Sequence, residues 1–220
     1  MAGRFDRFLD ALSRTEVSGR ACNQFSRVSG DVRMNAVRRR NLKLYLEDLD
    51  AIGPRTLLIG EAPSYRGGRL TGIAFVSESL MLEGVEHSRG RTLGEERGFR
   101  KATVSDKPST EASATMVWGT IRSLDPLPLL WNALPFHPFH DGNPLTNRVP
   151  TPAELAIGAR FIEMLLRLFE IDLVVAVGNQ ADASLERLGI THEKVRHPSQ
   201  GGKQKFVAGM ARLTQREKRR

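Results

Sequence analysis

Apolar residues recur three or four places apart over residues 4–13 (Phe5, Phe8, Leu9, Leu12) and again over 33–50 (Leu42, Tyr45, Leu46, Leu49). This spacing predicts two helices, each with one buried face. Short apolar runs at 56–60, 127–132 and 172–177, each bounded by turn residues, predict strands. Thr151-Pro152-Ala153-Glu154 is a helix start: a threonine cap, proline in first position and glutamate in third. That helix should run to about Phe169. Another should follow Gly178 and end near Gly189, a fourth short strand should precede His197, and a last helix should follow Ser199. Strands alternating with helices in this way predict an α/β fold, a three-layer α/β/α arrangement around a central four-stranded parallel sheet. Residues 84–112 are polar, charged and without a clear period, and predict a long loop or insertion. Residues 212–220 predict a basic tail. No repeat or linker divides the chain, so residues 1–220 read as a single domain.

Composition narrows the class. A chain of 220 residues, 40% hydrophobic and 26% charged, suits one folded domain. No apolar run reaches the length of a membrane span, and Arg4, Asp6, Arg7 and Asp10 interrupt any signal-like start. The lone Cys22 excludes an internal disulfide and any four-cysteine metal site, and points to a cytoplasmic, intracellular location. A monomer without a membrane partner is expected. The net charge of +8 favours a polyanionic partner. The excess lies in Arg38–Arg40, between Arg89 and Lys107, around Lys194–Lys205, and in Lys218, Arg219 and Arg220. A merely solvated basic surface is the competing reading.

The candidate chemistry sits where strands end. In "TLLIGEAPSYRGGRLTGIAFVSE", residues 56–78, an apolar strand runs into a carboxylate, a proline and a glycine-rich loop. Glycines allow a sharp turn or close approach to a ligand. Asn132 ends the second strand, Gly178 and Asn179 form a strand-to-helix turn, and His197-Pro198-Ser199 precedes the last helix. In a parallel sheet these ends share one edge, so Glu61, Asn132, Asn179 and His197 can face one crevice. Each signal alone has a bland alternative. Glu61 can pair with Arg66 or Arg69, Asn132 can be a structural amide, Phe75 can be core, and His197 can be an ordinary loop residue.

Taken in order, the segments resemble the uracil-DNA glycosylase superfamily. Gly60-Glu61-Ala62-Pro63 with Gly72-Ile73-Ala74-Phe75 is similar to its first motif, and His197-Pro198-Ser199 to its last. The run from Asn132 through "NRVPTPAE" to "VVAVGNQA" is similar to the middle of the family's iron–sulfur branch. That branch needs four cysteines, and one cysteine cannot hold a cluster. "SYRGGRLTG" is closer to a branch of broader base tolerance, which lacks the Glu. The resemblance therefore implies a divergent member.

The resemblance implies a monofunctional hydrolase, a DNA glycosylase of base-excision repair, removing uracil from DNA without metal or cofactor. It also implies an organism among bacteria or archaea, with the protein near the nucleoid. Glu61 and His197 would be catalytic: the carboxylate toward the attacking water or the sugar, the imidazole toward charge developing on the base. Ala62, Phe75 and Asn132 would bind the base, Phe75 by stacking and Asn132 by hydrogen bonds to uracil. Cytosine reverses both hydrogen-bonding groups, at roughly 1–3 kcal/mol per unpaired buried group. Pro63, Ser64, Gly178, Asn179, Ser199, Gln200 and Lys203 would hold DNA phosphates. Ser64 stands where stricter branches carry Tyr, so rejection of thymine should fall to Tyr65 or Glu61. The last motif runs on as Gln200-Gly201-Gly202, without the bulky apolar wedge of efficient members. That omission implies a preference for uracil in single strands or U:G pairs, unless another loop, 84–112 first, supplies the wedge. A different deaminated or modified base, and a non-catalytic nucleic-acid-binding relative, remain open alternatives.

Overall fold

The computed structural model describes residues 3–217. In chain order it contains α1 (Asp6–Arg14), β1 (Ala21–Cys22), α2 (Val32–Ile52), β2 (Thr56–Gly60), α3 (Gly68–Thr71), α4 (Glu78–Glu83), β3 (Val85–His87) and β4 (Gly90–Thr92). It continues with α5 (Ala112–Ile121), β5 (Leu129–Asn132), β6 (His137–Pro138), α6 (Pro152–Leu168), β7 (Leu173–Val177), α7 (Asn179–Arg187), β8 (Glu193–Val195) and α8 (Lys203–Glu217). Four strands form one parallel sheet in the order β5-β2-β7-β8. Helices flank it, as predicted. None of them is long and apolar enough to cross a membrane.

The sequence explains these elements locally. β2, β5 and β7 are nearly continuous apolar runs because they are covered on both faces. α2 starts where the Asp31 carboxylate accepts from Met34 N and stops at Gly53, whose φ of +70° suits glycine. Its predicted face, Leu42, Tyr45, Leu46 and Leu49, is fully buried. Thr151 and Glu154 form the capping box that opens α6. Arg148 ion-pairs with Glu154 at 2.8 Å and closes the preceding loop onto that helix start.

Two expectations need correction. Residues 84–112 are not one long loop. They hold the β3–β4 hairpin and a 3₁₀ turn at Glu95–Arg97, anchored by buried Val85, Leu93, Phe99 and Ala102. The anchors are too scattered to show a period. Arg89 near the hairpin tip binds Asp125 and the Ile52 carbonyl, which precede β5 and β2, so this tip lies at the amino edge of the sheet. The basic tail is likewise helix as far as Glu217, with Leu213 buried. Lys218, Arg219 and Arg220 lie outside the described residues.

Candidate active site

The carboxyl ends of β2, β5 and β7, with the loop after β8, line a cleft of about 700 Å³. The chain leaves β2 toward β5 on one side and returns to β7 on the other, so the cleft sits at the switch point of the sheet. Gly60 and Asn132 are register partners across β2 and β5. A Cβ at Gly60 would lie 2.5 Å from Phe75 Cζ and 2.7 Å from Asn132 Oδ1. Glycine is therefore the residue that lets the ring and the amide share one wall. Phe75 has a φ of +54°, a left-handed conformation that costs a side-chain-bearing residue roughly 1–2 kcal/mol. Its carbonyl is fixed by the buried Trp118, whose Nε1–H donates to it at 3.0 Å.

Glu61 follows Gly60 directly, and its backbone is pinned by Leu134 N donating to its carbonyl at 3.0 Å. Its Oε1 is buried and has no hydrogen-bond partner. Burial alone pushes its carboxyl up to about 7. The ion pair with Arg66 or Arg69 is not formed among the described residues; the Arg66 guanidinium lies over the Tyr65 ring at 5.3 Å. Of the two groups expected to reject thymine, Tyr65 does not line the cleft and Glu61 does.

His197 meets this carboxylate's cleft from the loop after β8. Its Nδ1 accepts from Ser199 N at 3.2 Å and lies 2.7 Å from Ser199 Oγ. A backbone N–H can only donate, so Nδ1 is the acceptor nitrogen and the neutral ring carries its proton on Nε2. Burial, then the charge of Arg196, lowers the imidazole pKa. Gly178, at φ +95°, brings the β7 turn against the ring: a Cβ there would lie 2.9 Å from His197 Cβ.

Ala62, Pro63, Ser64, Asn179, Ser199 and Gln200 also line the cleft. Lys203 does not; it is exposed at the start of α8 and faces a groove beside α5. Three of the residues expected to hold phosphates have other engagements. Ser64 Oγ donates to Glu111 Oε1 at 2.7 Å, the Ser199 N–H is committed to His197, and the Gly178 N–H donates to the Val195 carbonyl at 2.9 Å. Sequence reasoning missed Glu111, Ser113, Asn147, Arg148 and Arg196, all of which line the cleft. Asn147 had a signal, since "NRVPTPAE" lies within the run that carried the resemblance; its Oδ1 accepts from Tyr65 N at 3.0 Å.

Parts of two basic runs do not make the free surface their sequence suggests. Arg38 donates to the carbonyls of Leu70 and Ala102, and Arg39 to that of Phe25. Arg91 pairs with Glu86 and Glu96, and Arg97 with Asp48. Guanidinium groups here tie loops together. Among the described residues, no group of three or more His, Cys, Asp and Glu is placed to hold a metal.

The family model described as the uracil DNA glycosylase superfamily matches residues 47–210. No curated protein matches the sequence. Among solved structures, wild-type Pedobacter heparinus SMUG2 is similar with a TM-score of 0.65 and 16% identity, over 100% of each chain. At that identity the likeness concerns the fold.

Proposed function

The chain belongs to the uracil-DNA glycosylase superfamily, and on that footing we propose that it is a monofunctional enzyme hydrolysing the N-glycosidic bond of uracil in DNA. The observation that carries this reading is the unpaired, buried Oε1 of Glu61 in a cleft shared with the Nε2–H of His197.

The chemistry follows from these two groups. As the C1′–N1 bond breaks, its electron pair moves onto uracil and negative charge grows on O2. His197, neutral and with its proton on Nε2, donates a hydrogen bond there; a neutral donor suffices in a site that excludes water. Water adds to the electron-poor C1′ and passes a proton to the Glu61 carboxylate. A carboxylate without an ion-pair partner keeps its basicity, which is what a general base near neutral pH requires. No lysine lines the cleft among the described residues, and this favours water over an amine as nucleophile.

Asn132, only 5% exposed, would pair its amide with O4 and N3–H of uracil. Phe75 would stack on the base, a contact worth about 1–3 kcal/mol for a ring on a base. Ala62 would pack beside it. The phosphates would be held by the backbone N–H of Ser64 in the turn after Pro63, by that of Asn179 in the Gly178-Asn179 turn at the start of α7, and by Gln200. Ser199 would act chiefly through His197, and Lys203 through backbone contacts outside the cleft. The protein would act as a monomer within the cytoplasm.

The test is single-turnover incubation with an oligonucleotide carrying one uracil, followed by alkali, beside a panel of other modified bases. Free uracil and a strand break that needs alkali are expected. A break without alkali would remove the monofunctional assignment. Release of another base in place of uracil would move the specificity, and binding without release of any base would end the enzymatic reading.

A further inference from the structure

Turning a base out of a duplex leaves a gap, and proteins that bend or open DNA fill such gaps with apolar side chains. The loop after His197 offers only Gln200, in a left-handed conformation at φ +49°, followed by two glycines. The 84–112 segment turns its hairpin toward the other edge of the sheet. An apolar gap-filling group must then come from a part of the rim other than that loop and that hairpin.

We propose that Leu145 is the residue this protein inserts into the DNA stack when a base is turned out, an inference that rests on the glycosylase reading above. Leu145 is 61% exposed. A single exposed leucine is ordinary on a protein surface; the position of this one is not. It lies between two residues tied to the turn that carries Pro63 and Tyr65. On one side, the Pro144 carbonyl is 3.1 Å from His137 Nε2, while Nδ1 of the same buried ring is 2.8 Å from the Pro63 carbonyl. One imidazole is all that separates the Leu145 loop from a cleft-lining proline. On the other side, Asn147 lines the cleft and accepts from Tyr65 N. Leu145 itself does not line the cleft; it stands two residues before Asn147, which does, and so at the cleft's rim.

The loop also holds it there. Leu145 N donates to Asn143 Oδ1 at 3.0 Å, Thr146 Oγ1 to the Asn143 carbonyl at 2.7 Å, and His140 N to Thr146 Oγ1 at 3.0 Å. A side chain presented on an ordered backbone loses little further freedom on insertion. The more exposed Val104 is shorter, and its loop is tied through Thr103 and Ser109 to the buried Glu78 of α4.

The experiment compares wild type, Leu145→Ala, Leu145→Met and Val104→Ala in two assays. In single-turnover excision, Leu145→Ala should slow U:A cleavage by about tenfold or more, U:G less, and single-stranded uracil by less than about twofold, since only a duplex has a stack to fill. Leu145→Met should recover most of the loss, and Val104→Ala should behave as wild type. Equal losses on single and double strands would overturn the proposal in favour of a structural role, as would an unchanged U:A rate. The second assay needs no excision: 2-aminopurine beside a tetrahydrofuran abasic site reports disturbed stacking on binding. Its fluorescence should change with wild type and not with Leu145→Ala. If uracil is never released, the substrate assignment falls, yet this signal still decides on Leu145. The same change in both proteins, or none with wild type, overturns the insertion.

Discussion

The backbone N–H of Ser199 donates to Nδ1 of His197, and that contact decides which imidazole nitrogen faces the cleft with a proton. The last motif thus holds its own histidine two residues back. His197→Ala should reduce single-turnover excision about a hundredfold or more while DNA binding is largely kept. Ser199→Ala retains the backbone donor and should cost less than about tenfold. Nitrogen NMR of labelled histidine should show the Nε2–H tautomer at pH 7 in both the parent and Ser199→Ala. An Nδ1–H tautomer in the parent would remove the stated role of the ring.

Gly60 is a sharper probe of the wall proposed to bind the base. Its missing Cβ leaves room for Phe75 and Asn132, so Gly60→Ala must push the ring or the amide aside. Excision should drop by about a hundredfold or more, in proportion to a displaced recognition group. Inhibition by free uracil should weaken in parallel, whereas the far-ultraviolet spectrum should not change. Retained uracil inhibition would show that Phe75 and Asn132 do not form the pocket for the base.

How the sequence carried this much is a matter of which interactions are local. The strands β2, β5 and β7, α2 and the capped α6 were legible because each is specified within its own residues, by an apolar run, a periodic face or a capping box. That Glu61, Asn132, Asn179 and His197 share one edge followed from parallel strands. What stayed hidden depends on partners far along the chain. The fate of Arg38 and Arg39 is set by carbonyls at Phe25, Leu70 and Ala102, and no local pattern announces those. Glu111 reaches Ser64 across 47 residues. Scattered anchors such as Leu93 and Phe99 gave 84–112 the look of a loop although they are buried.

Asn132 should read the base through its amide. Asn132→Asp should weaken uracil excision, because a carboxylate cannot donate to O4. In its protonated form the same side chain can donate to N3 of cytosine and accept from N4, so release of cytosine should become detectable at low pH. Measuring both bases in matched oligonucleotides checks this. Uracil excision equal to the parent's would show that the amide takes no part in recognition.

The last expectation concerns pH and Glu61, where two consequences of one buried carboxyl point in opposite directions. Burial raises its pKa to about 7, so the base form predominates only above neutrality. Single-turnover excision should rise from pH 6 to 8 with an apparent pKa near 7, and Glu61→Gln should be slower by about a hundredfold or more and lack that limb. The limb is assigned to Glu61 and not to His197, because burial, then the charge of Arg196, moves the imidazole pKa downward, away from 7. Stability runs the other way. A carboxyl whose folded pKa is raised binds its proton more tightly in the native state, so its contribution is complete below the unfolded pKa, near 4.5, and is lost as pH rises through about 7. At pH 8 the parent carries an uncompensated buried charge that Glu61→Gln lacks. The variant should then be the more stable protein by about 1–3 kcal/mol, with the difference gone at pH 5. Denaturant melts at the two pH values read this directly. A variant that is slower but no more stable at pH 8 would mean that Glu61 is solvated, and the general-base assignment would lose its physical ground.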